Sequence, residues 1–510
     1  MIAYLGRRIG QLLLVLFGSS FLVYQLLAYS GDPTEGLRGN TDPKAVQQLI
    51  ALTRTLQLDV PPPVRYFLWL KKTFLNFDLG RSLSGIPVSD ELRSAIPITV
   101  RLVALSTVMA IIFGVTFGIV SALRQYSRFD YSMTFVAFLL FSLPVFWVAV
   151  LAKQFLAVGF NNFLAKGEIG TGFIVIASLV SGLFWATVIS GSRKRVWQIF
   201  GLAAAVSALI LTALSLSHWF THPTFGPIAI LIGGVGAAYA VTYLSVGLHN
   251  KAAVKSSLTM VAAALVFYYP TQWILDKKAS LLIVLALLAF TVGVAVLSGL
   301  FYSKIDRGPI VRTSVLTAFI STGLLVVDKF MQTWKPYMET DAINYRPVPT
   351  IGQRSDLLDT SDWWISSLDV VTHLFLPTLA LTLISFAGYI RYSRGTLLEV
   401  LNQDYIRTAR AKGLTERTVI MRHAFRNTMI PLTTIMVVDF AGVIGGALIT
   451  ESVFGWSGMG TLFRQGLLGY DLNLLMGVFF ITASLSVIAN LVADLLYSAL
   501  DPRIRVGAGA

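Results

Sequence analysis

The residues best placed to do chemistry lie in one polar stretch. It reads Glu399, then Asp404-Tyr405-Ile406-Arg407-Thr408-Ala409-Arg410-Ala411-Lys412-Gly413-Leu414, then Glu416, Val419, His423-Ala424 and Arg426-Asn427. The pattern predicts a helix over about 402–412 that stops at Gly413, and a second from Thr415, a candidate N-cap, to about 425. Two short helices around a glycine make a bent projection, not a catalytic cleft. A basic loop of this kind can rest on anionic lipid headgroups. The small residues Ala409 and Ala411 beside Gly413 also suit close docking of another protein, and the stretch is longer than membrane orientation alone requires.

Other residue types exclude more than they suggest. There is no cysteine, which removes disulfides, thiolate metal sites and thiol nucleophiles. No Gly-Lys dipeptide occurs, so the chain has no phosphate-binding loop of the Gly-x-x-x-x-Gly-Lys-Ser/Thr type. His218, His222, His249, His373 and His423 are dispersed, and no cluster of His, Asp and Glu converges to make a catalytic or metal site. One acid, Asp439, stands inside an apolar run, where facing lipid would cost about 2.5–3.5 kcal/mol. It must face water or a partner, as part of a polar pathway or in a structural pair. Gly442, Gly445 and Gly446 nearby read as helix-packing residues. Pro144 and Pro377 should kink their helices and free backbone carbonyls.

These residues must be positioned by membrane spans. Of 510 residues, 55% are hydrophobic and only 13% charged, which excludes a soluble globule of this size. Twelve runs are long enough to be considered as helices crossing the hydrocarbon: 9–28, 102–123, 131–152, 171–192, 198–217, 225–248, 256–275, 279–303, 313–327, 370–390, 427–450 and 472–493. The run 313–327 is the shortest and would need Arg312 and Lys329 to snorkel outward. With the N-terminus inside, the inner loops carry 22 basic and 7 acidic residues, while the outer loops balance. The net charge of +14 is then a membrane-orientation signal, and no nucleic-acid partner is needed to explain it. The long segments 29–101 and 328–369 read as ordered outer caps, the first containing a short amphipathic helix that ends near Phe77 before an Asp78-Leu79-Gly80 turn. The spans within 171–327 form a bland apolar block.

The polar stretch resembles the coupling loop of ATP-binding-cassette importer permeases of the dipeptide, oligopeptide and nickel branch. The resemblance extends to Gly31-Asp32-Pro33, Asp78-Leu79-Gly80-Arg81-Ser82, Asp130, Ser142-Leu143-Pro144-Val145-Phe146-Trp147 and Leu376-Pro377-Thr378-Leu379. It continues through Glu451-Ser452-Val453-Phe454-Gly455-Trp456, Gly458-Met459-Gly460 and Asp501-Pro502-Arg503-Ile504-Arg505. About 1–160 and 366–505 are covered; Ser30 and Ser457 replace the family's usual prolines. The resemblance implies an all-α polytopic membrane protein of about twelve helices, six of core and six inserted. Its parts are 1–160, an inserted block 161–365, and 366–510. It implies peptide import through the plasma membrane, with both termini cytoplasmic and no ATP or Mg site in this chain. The implied partners are a second homologous permease, two ATPase subunits and an extracytoplasmic binding protein, with lipid around the spans. Asp404, Tyr405, Arg407, Ala409, Arg410, Lys412, Gly413, Leu414 and Glu416 would contact the ATPase, and Asp439, Pro144 and Trp147 are candidates for the pathway. Nickel chelate or another small solute is the alternative cargo. An ion-coupled transporter is the alternative class, against which stands the single buried acid.

Overall fold

A computed structural model describes residues 2–500 apart from 40, 190, 304–306 and 360. Among the described residues the secondary structure is helical, with one isolated bridge pairing Arg81 and Pro87. Among the described residues ten helices are long and apolar enough to cross a membrane, or eleven if one bent pair counts as a span. The protein is therefore an all-α multi-pass membrane protein, the only open-ended architecture that satisfies every backbone group within hydrocarbon.

In chain order the helices begin with α1 (Ile2–Ser30), α2 (Pro43–Leu56), α3 (Pro62–Asn76), α4 (Val88–Leu123), α5 (Arg128–Ser142), α6 (Val145–Ala152) and α7 (Gly159–Lys166). Then come α8 (Thr171–Val188), α9 (Arg193–Leu216), α10 (Gly226–Ser245), α11 (Lys251–Val266), α12 (Tyr268–Lys277), α13 (Leu281–Tyr302) and α14 (Arg307–Met338). The last are α15 (Trp363–Leu401), α16 (Asp404–Ala411), α17 (Glu416–Thr418), α18 (Phe425–Gly446), α19 (Leu448–Phe454), α20 (Met459–Gly469) and α21 (Leu472–Leu500). The chain divides into two compact units: 1–156 with 350–353 and 374–510, and 157–349 with 354–373.

In the first unit α18 packs on α21 and α4, and α1 packs on α21 and α3. Helix α4 has 36 residues, about 54 Å at 1.5 Å per residue, and so outreaches a hydrocarbon core of about 30 Å. Its two ends therefore hold two separate sites. The outer cap expected before it contains α2, started by Asp42 accepting from the Lys44 amide, and α3, which ends at Asn76 with Phe77 left-handed (φ 52°). The Trp69 indole donates to the Leu79 carbonyl and pins the turn that follows.

Three expectations need correction. The run 131–152 is not one rod: the chain breaks at Leu143-Pro144, and Pro144 starts α6 as its N-cap in place of kinking a continuous helix. The rod of spanning length is Val145–Lys166, which includes a π-helical stretch at Lys153–Val158. The run 256–275 bends by 52° between α11 and α12. In the second unit the short run 313–327 lies inside the 32-residue α14, on which α10, α11, α12 and α13 pack. Lys329 does not snorkel; it is buried and paired with Asp276. Beside it Asp328, fully buried, accepts from the Tyr268 hydroxyl at 2.6 Å and the Phe225 and Gly226 amides at 2.7 and 3.2 Å, starting α10. The block is less bland than its sequence.

Gly114 and Gly118 explain how α4 approaches the C-terminal part of α15. A Cβ at Gly118 would stand 1.9 Å from the Ser393 hydroxyl and 2.7 Å from the Ile390 carbonyl. Replacing Gly118 by Leu forces the helices apart, and overpacking of this kind costs about 1–3 kcal/mol or more. The expected result is a lowered unfolding temperature in detergent and reduced membrane yield, whereas Gly293→Ala, at a position with open space around it, leaves both unchanged.

Candidate functional site

The polar stretch forms an elbow. Helix α15 ends at Leu401, and α16 begins at Asp404, so the first arm is shorter than the sequence suggests. Gly413 takes φ +76°, a conformation that favours glycine, and the chain reverses there. Thr415 caps the second arm as expected, its hydroxyl accepting from the Thr418 amide at 3.4 Å. That arm does not stop at 425. It passes through a π-helical turn at Val419–Ala424 directly into α18. The second arm of the elbow is thus continuous with α18.

One face of the elbow is a small core. Ile406 and Ala409 of α16 pack with Val419, Ala424, Leu397 of α15 and Ala122 of α4, all buried. Ala409 was expected to face a docking partner; it faces its own chain instead. The opposite face is solvent-exposed. The side chains of Asp404 and Arg407 are 97% and 72% exposed, and Tyr405, Ala411, Lys412, Leu414 and Met421 are exposed with them. The arms are latched by Arg410, whose Nε and Nη2 donate to the two Glu416 oxygens at 3.2 and 2.7 Å. This bond to Arg410 holds the Glu416 carboxyl below its ordinary value. Asn427 donates to the Tyr405 hydroxyl at 2.8 Å, a second tie between the arms.

The elbow is held to the membrane helices by a residue pair that spacing did not reveal. Asp130 is 2% exposed at the start of α5. Its oxygens accept from Arg394 Nε and Nη2 at 2.7 and 2.9 Å, from the Ser121 hydroxyl at 2.5 Å and from the Tyr126 amide at 3.0 Å. One carboxylate therefore joins α4, α5 and α15, ten residues before α16. Burial works to raise this carboxyl, but Arg394, Ser121 and the Tyr126 amide outweigh it and leave it below the ordinary carboxylate range. Arg394 has no sequence signal of its own, since it is one of eight basic residues between 391 and 426.

A second carboxylate lies at the far end of α4. Glu451 is fully buried and accepts from Thr99 of α4 at 2.6 Å and from the Thr461 amide at 3.0 Å, so it caps α20 from another helix. The Thr99 hydroxyl in turn accepts from the Met459 amide at 2.8 Å. Burial pushes the Glu451 carboxyl up. Lys153 donates to the Val453 carbonyl at 3.0 Å, closing the C-terminal end of α19.

Asp439 on α18 is half-buried and interacts with the buried Tyr389 phenol of α15. Trp147 is 53% exposed on α6. Pro144, Trp147 and Asp439 are not brought together by any contact between their side chains in the described interactions. The surroundings of Gly442, Gly445 and Gly446, and the segment Asp501–Arg505, lie outside the described residues. Among the described residues no group of three metal-ligating side chains converges.

The site is thus an exposed elbow that follows the spanning helix α15 and runs on into α18. Residues 253–506 match the family described as binding-protein-dependent transport system inner membrane component. Similar proteins include the oligopeptide transport system permease protein OppB of Mycobacterium tuberculosis, 42% identical over 143 residues, 28% of this chain and 44% of that one. AppB of Bacillus subtilis, an oligopeptide transport system permease protein, is 37% identical over 206 residues, 40% of this chain and 60% of that one. The dipeptide transport system permease protein DppB of Escherichia coli K12 is 40% identical over 151 residues, 29% and 44% of the two chains. The chain thus aligns with about half the length of these relatives. Over residues 253–506 the chain is similar to the binding-protein-dependent permease family.

Removing one partner of the Asp130–Arg394 pair leaves the other without its counter-ion. Arg394→Met is expected to destabilise the protein by about 3 kcal/mol, and Ser121→Ala by about 1 kcal/mol, in thermal or denaturant unfolding in detergent. Glu451 acts with the opposite pH sign. A carboxyl raised in the folded state contributes stability that is full below its ordinary value of 4.5 and is lost as pH rises through the raised value. Unfolding temperature should therefore fall less steeply from about pH 4 to about pH 7 in Glu451→Gln than in wild type.

Proposed function

We propose that this chain is one of the two membrane subunits of an ATP-driven importer of peptides, working with a second homologous permease. The observation that carries the reading is the elbow at 404–416, polar and exposed on one face, packed on the other, and continuous with α18. That the similar proteins are oligopeptide and dipeptide permeases supports peptide as cargo.

In this mechanism two separate ATPase subunits bind ATP and Mg, and this chain supplies none of that chemistry. Asp404, Arg407, Lys412, Leu414 and the latch of Arg410 and Glu416 seat in a groove on an ATPase subunit. Tyr405 and Gly413 set the shape of the elbow. Closure of the ATPase pair moves the elbow, and α18 transfers the displacement into the bundle, shifting it between inward-open and outward-open states. The two ends are linked as a coupling free energy between sites. Asp439 supplies the polar point on the pathway, with Pro144 and Trp147 as further candidates. An extracytoplasmic binding protein delivers the peptide. Both termini then lie in the cytoplasm of a cell whose plasma membrane holds the complex, and residues 161–365 are an insertion into a six-span core.

The test is ATP-dependent peptide uptake by vesicles holding the full complex, with co-purification of the ATPase subunits. Gly413→Pro and Arg410→Glu are expected to abolish most uptake and ATPase association while membrane insertion stays normal. The Arg410–Glu416 pair is exposed, so its loss should move stability by no more than about 1 kcal/mol. Retained coupling in both variants would overturn the placement of the interface. ATP hydrolysis stimulated by a nickel chelate or another small solute, with no peptide movement, would overturn the cargo and leave the machinery standing.

A further inference from the structure

A cavity of about 250 Å³ lies at the end of the first unit opposite the elbow, between the end of α1, the α2–α3 pair and the turn from α20 to α21. Its location follows from α4. The N-terminal end of α4 adjoins the 80–88 turn, which is tied to α21 by Asn473 donating to the Arg81 carbonyl, while its C-terminal end packs under the elbow. Leu27, Leu58 and Val60 give the cavity apolar walls, and Arg38 and Arg65 bring positive charge to it.

The two arginines differ. Arg38 is 66% exposed and bridged to Asp32 at 2.6 Å, and Asp32 is further held by the Thr34 amide and hydroxyl at 2.8 and 2.6 Å. The one carboxylate on the wall is thus already answered. Arg65 is 7% exposed, and its Nε, which has no hydrogen-bond partner, is buried. A buried guanidinium N–H left open is expensive, and its strongest complement is an oxyanion.

The surrounding surface indicates what carries that oxyanion. Leu22, Leu26 and Tyr29 of α1 are 62%, 71% and 72% exposed, and Phe67, Phe74 and Leu75 of α3 are 53%, 56% and 68% exposed. In a spanning protein such side chains at the end of a membrane helix meet acyl chains, and the exposed apolar residues of α3 extend the same apolar surface. We propose that the cavity binds the phosphate of a phospholipid from the adjoining leaflet, with Arg65 as the buried donor and Arg38 at the rim. Bound there, the lipid ties α1 and the α2–α3 cap to the α20–α21 turn, near the end of α4 that Glu451 anchors.

The purified full-length chain, delipidated in detergent, is titrated with phosphatidylglycerol and followed by native mass spectrometry; inorganic phosphate is titrated separately. Wild type should retain one tightly bound lipid. Arg65→Gln should weaken it by about tenfold or more, the loss expected for one charged hydrogen bond. Val60→Trp, which fills the cavity and leaves the charge, should weaken it as well, and carries the test if Arg65→Gln does not purify as a single species. Equal lipid retention by wild type and both variants overturns the proposal. Saturation by inorganic phosphate alone, with no gain from an acyl chain, overturns the lipid and leaves a free-anion site.

Discussion

An amide at the start of a helix has no partner within that helix, and inside or beside hydrocarbon it has no water either. Much of this structure follows from how that demand is met. Several answers, at helix starts and in the loops beside them, come from carboxylates, some a few residues away and some far off in sequence. Asp328 accepts from Phe225 and Gly226 across about a hundred residues; Asp471 accepts from the Leu83 and Leu474 amides; Asp369 accepts from the Ser355 amide. Asp130 and Glu451 do the same for Tyr126 and Thr461. The distant bonds are tertiary ties as well. With only 26 acidic residues in 510, the chain commits several of its scarce acids to joining helices within a unit.

The fold class was legible because hydrocarbon permits few solutions. Each of the twelve apolar runs is mostly helical among the described residues, since a run of about twenty apolar residues has no alternative way to satisfy its backbone. The elbow was legible for local reasons: Gly413 reverses the chain and Thr415 caps, both readable from single residues. What failed was non-local. Nothing in the sequence near Lys329 announces Asp276 53 positions away, and nothing near Ala409 says that Val419 and Ala122 would cover it. The resemblance singled out Asp130 and Glu451 without giving them work. The geometry supplies it: one joins three helices, the other starts a fourth.

The break at Pro144 belongs with these failures, because hydropathy continues unbroken through Leu143 and Pro144 while the backbone does not. Proline has no N–H to give the preceding turn, and Leu143 adopts an extended conformation before it. Composition measures how well a segment dissolves in lipid, not whether it remains one rod. The same holds at Phe267, where α11 and α12 part by 52° within a run that reads as a single span.

The elbow combines a weak latch with a strong anchor, a division that suits the rigid-body movement proposed for it. An exposed Arg410–Glu416 pair adds little stability, yet its two parallel bonds fix the angle between the arms about Gly413. Beneath it Asp130 and Arg394 are buried deeply enough that separating them is costly, so the end of α15 stays with α4 and α5. The second arm is held differently on its way into α18: Val419 and Ala424 of its π turn pack in the apolar core under the elbow, and Asn427 donates to Tyr405. Under the proposed mechanism the ion pair would hold the α15 side while the second arm carries displacement into α18, the helix that bears Asp439.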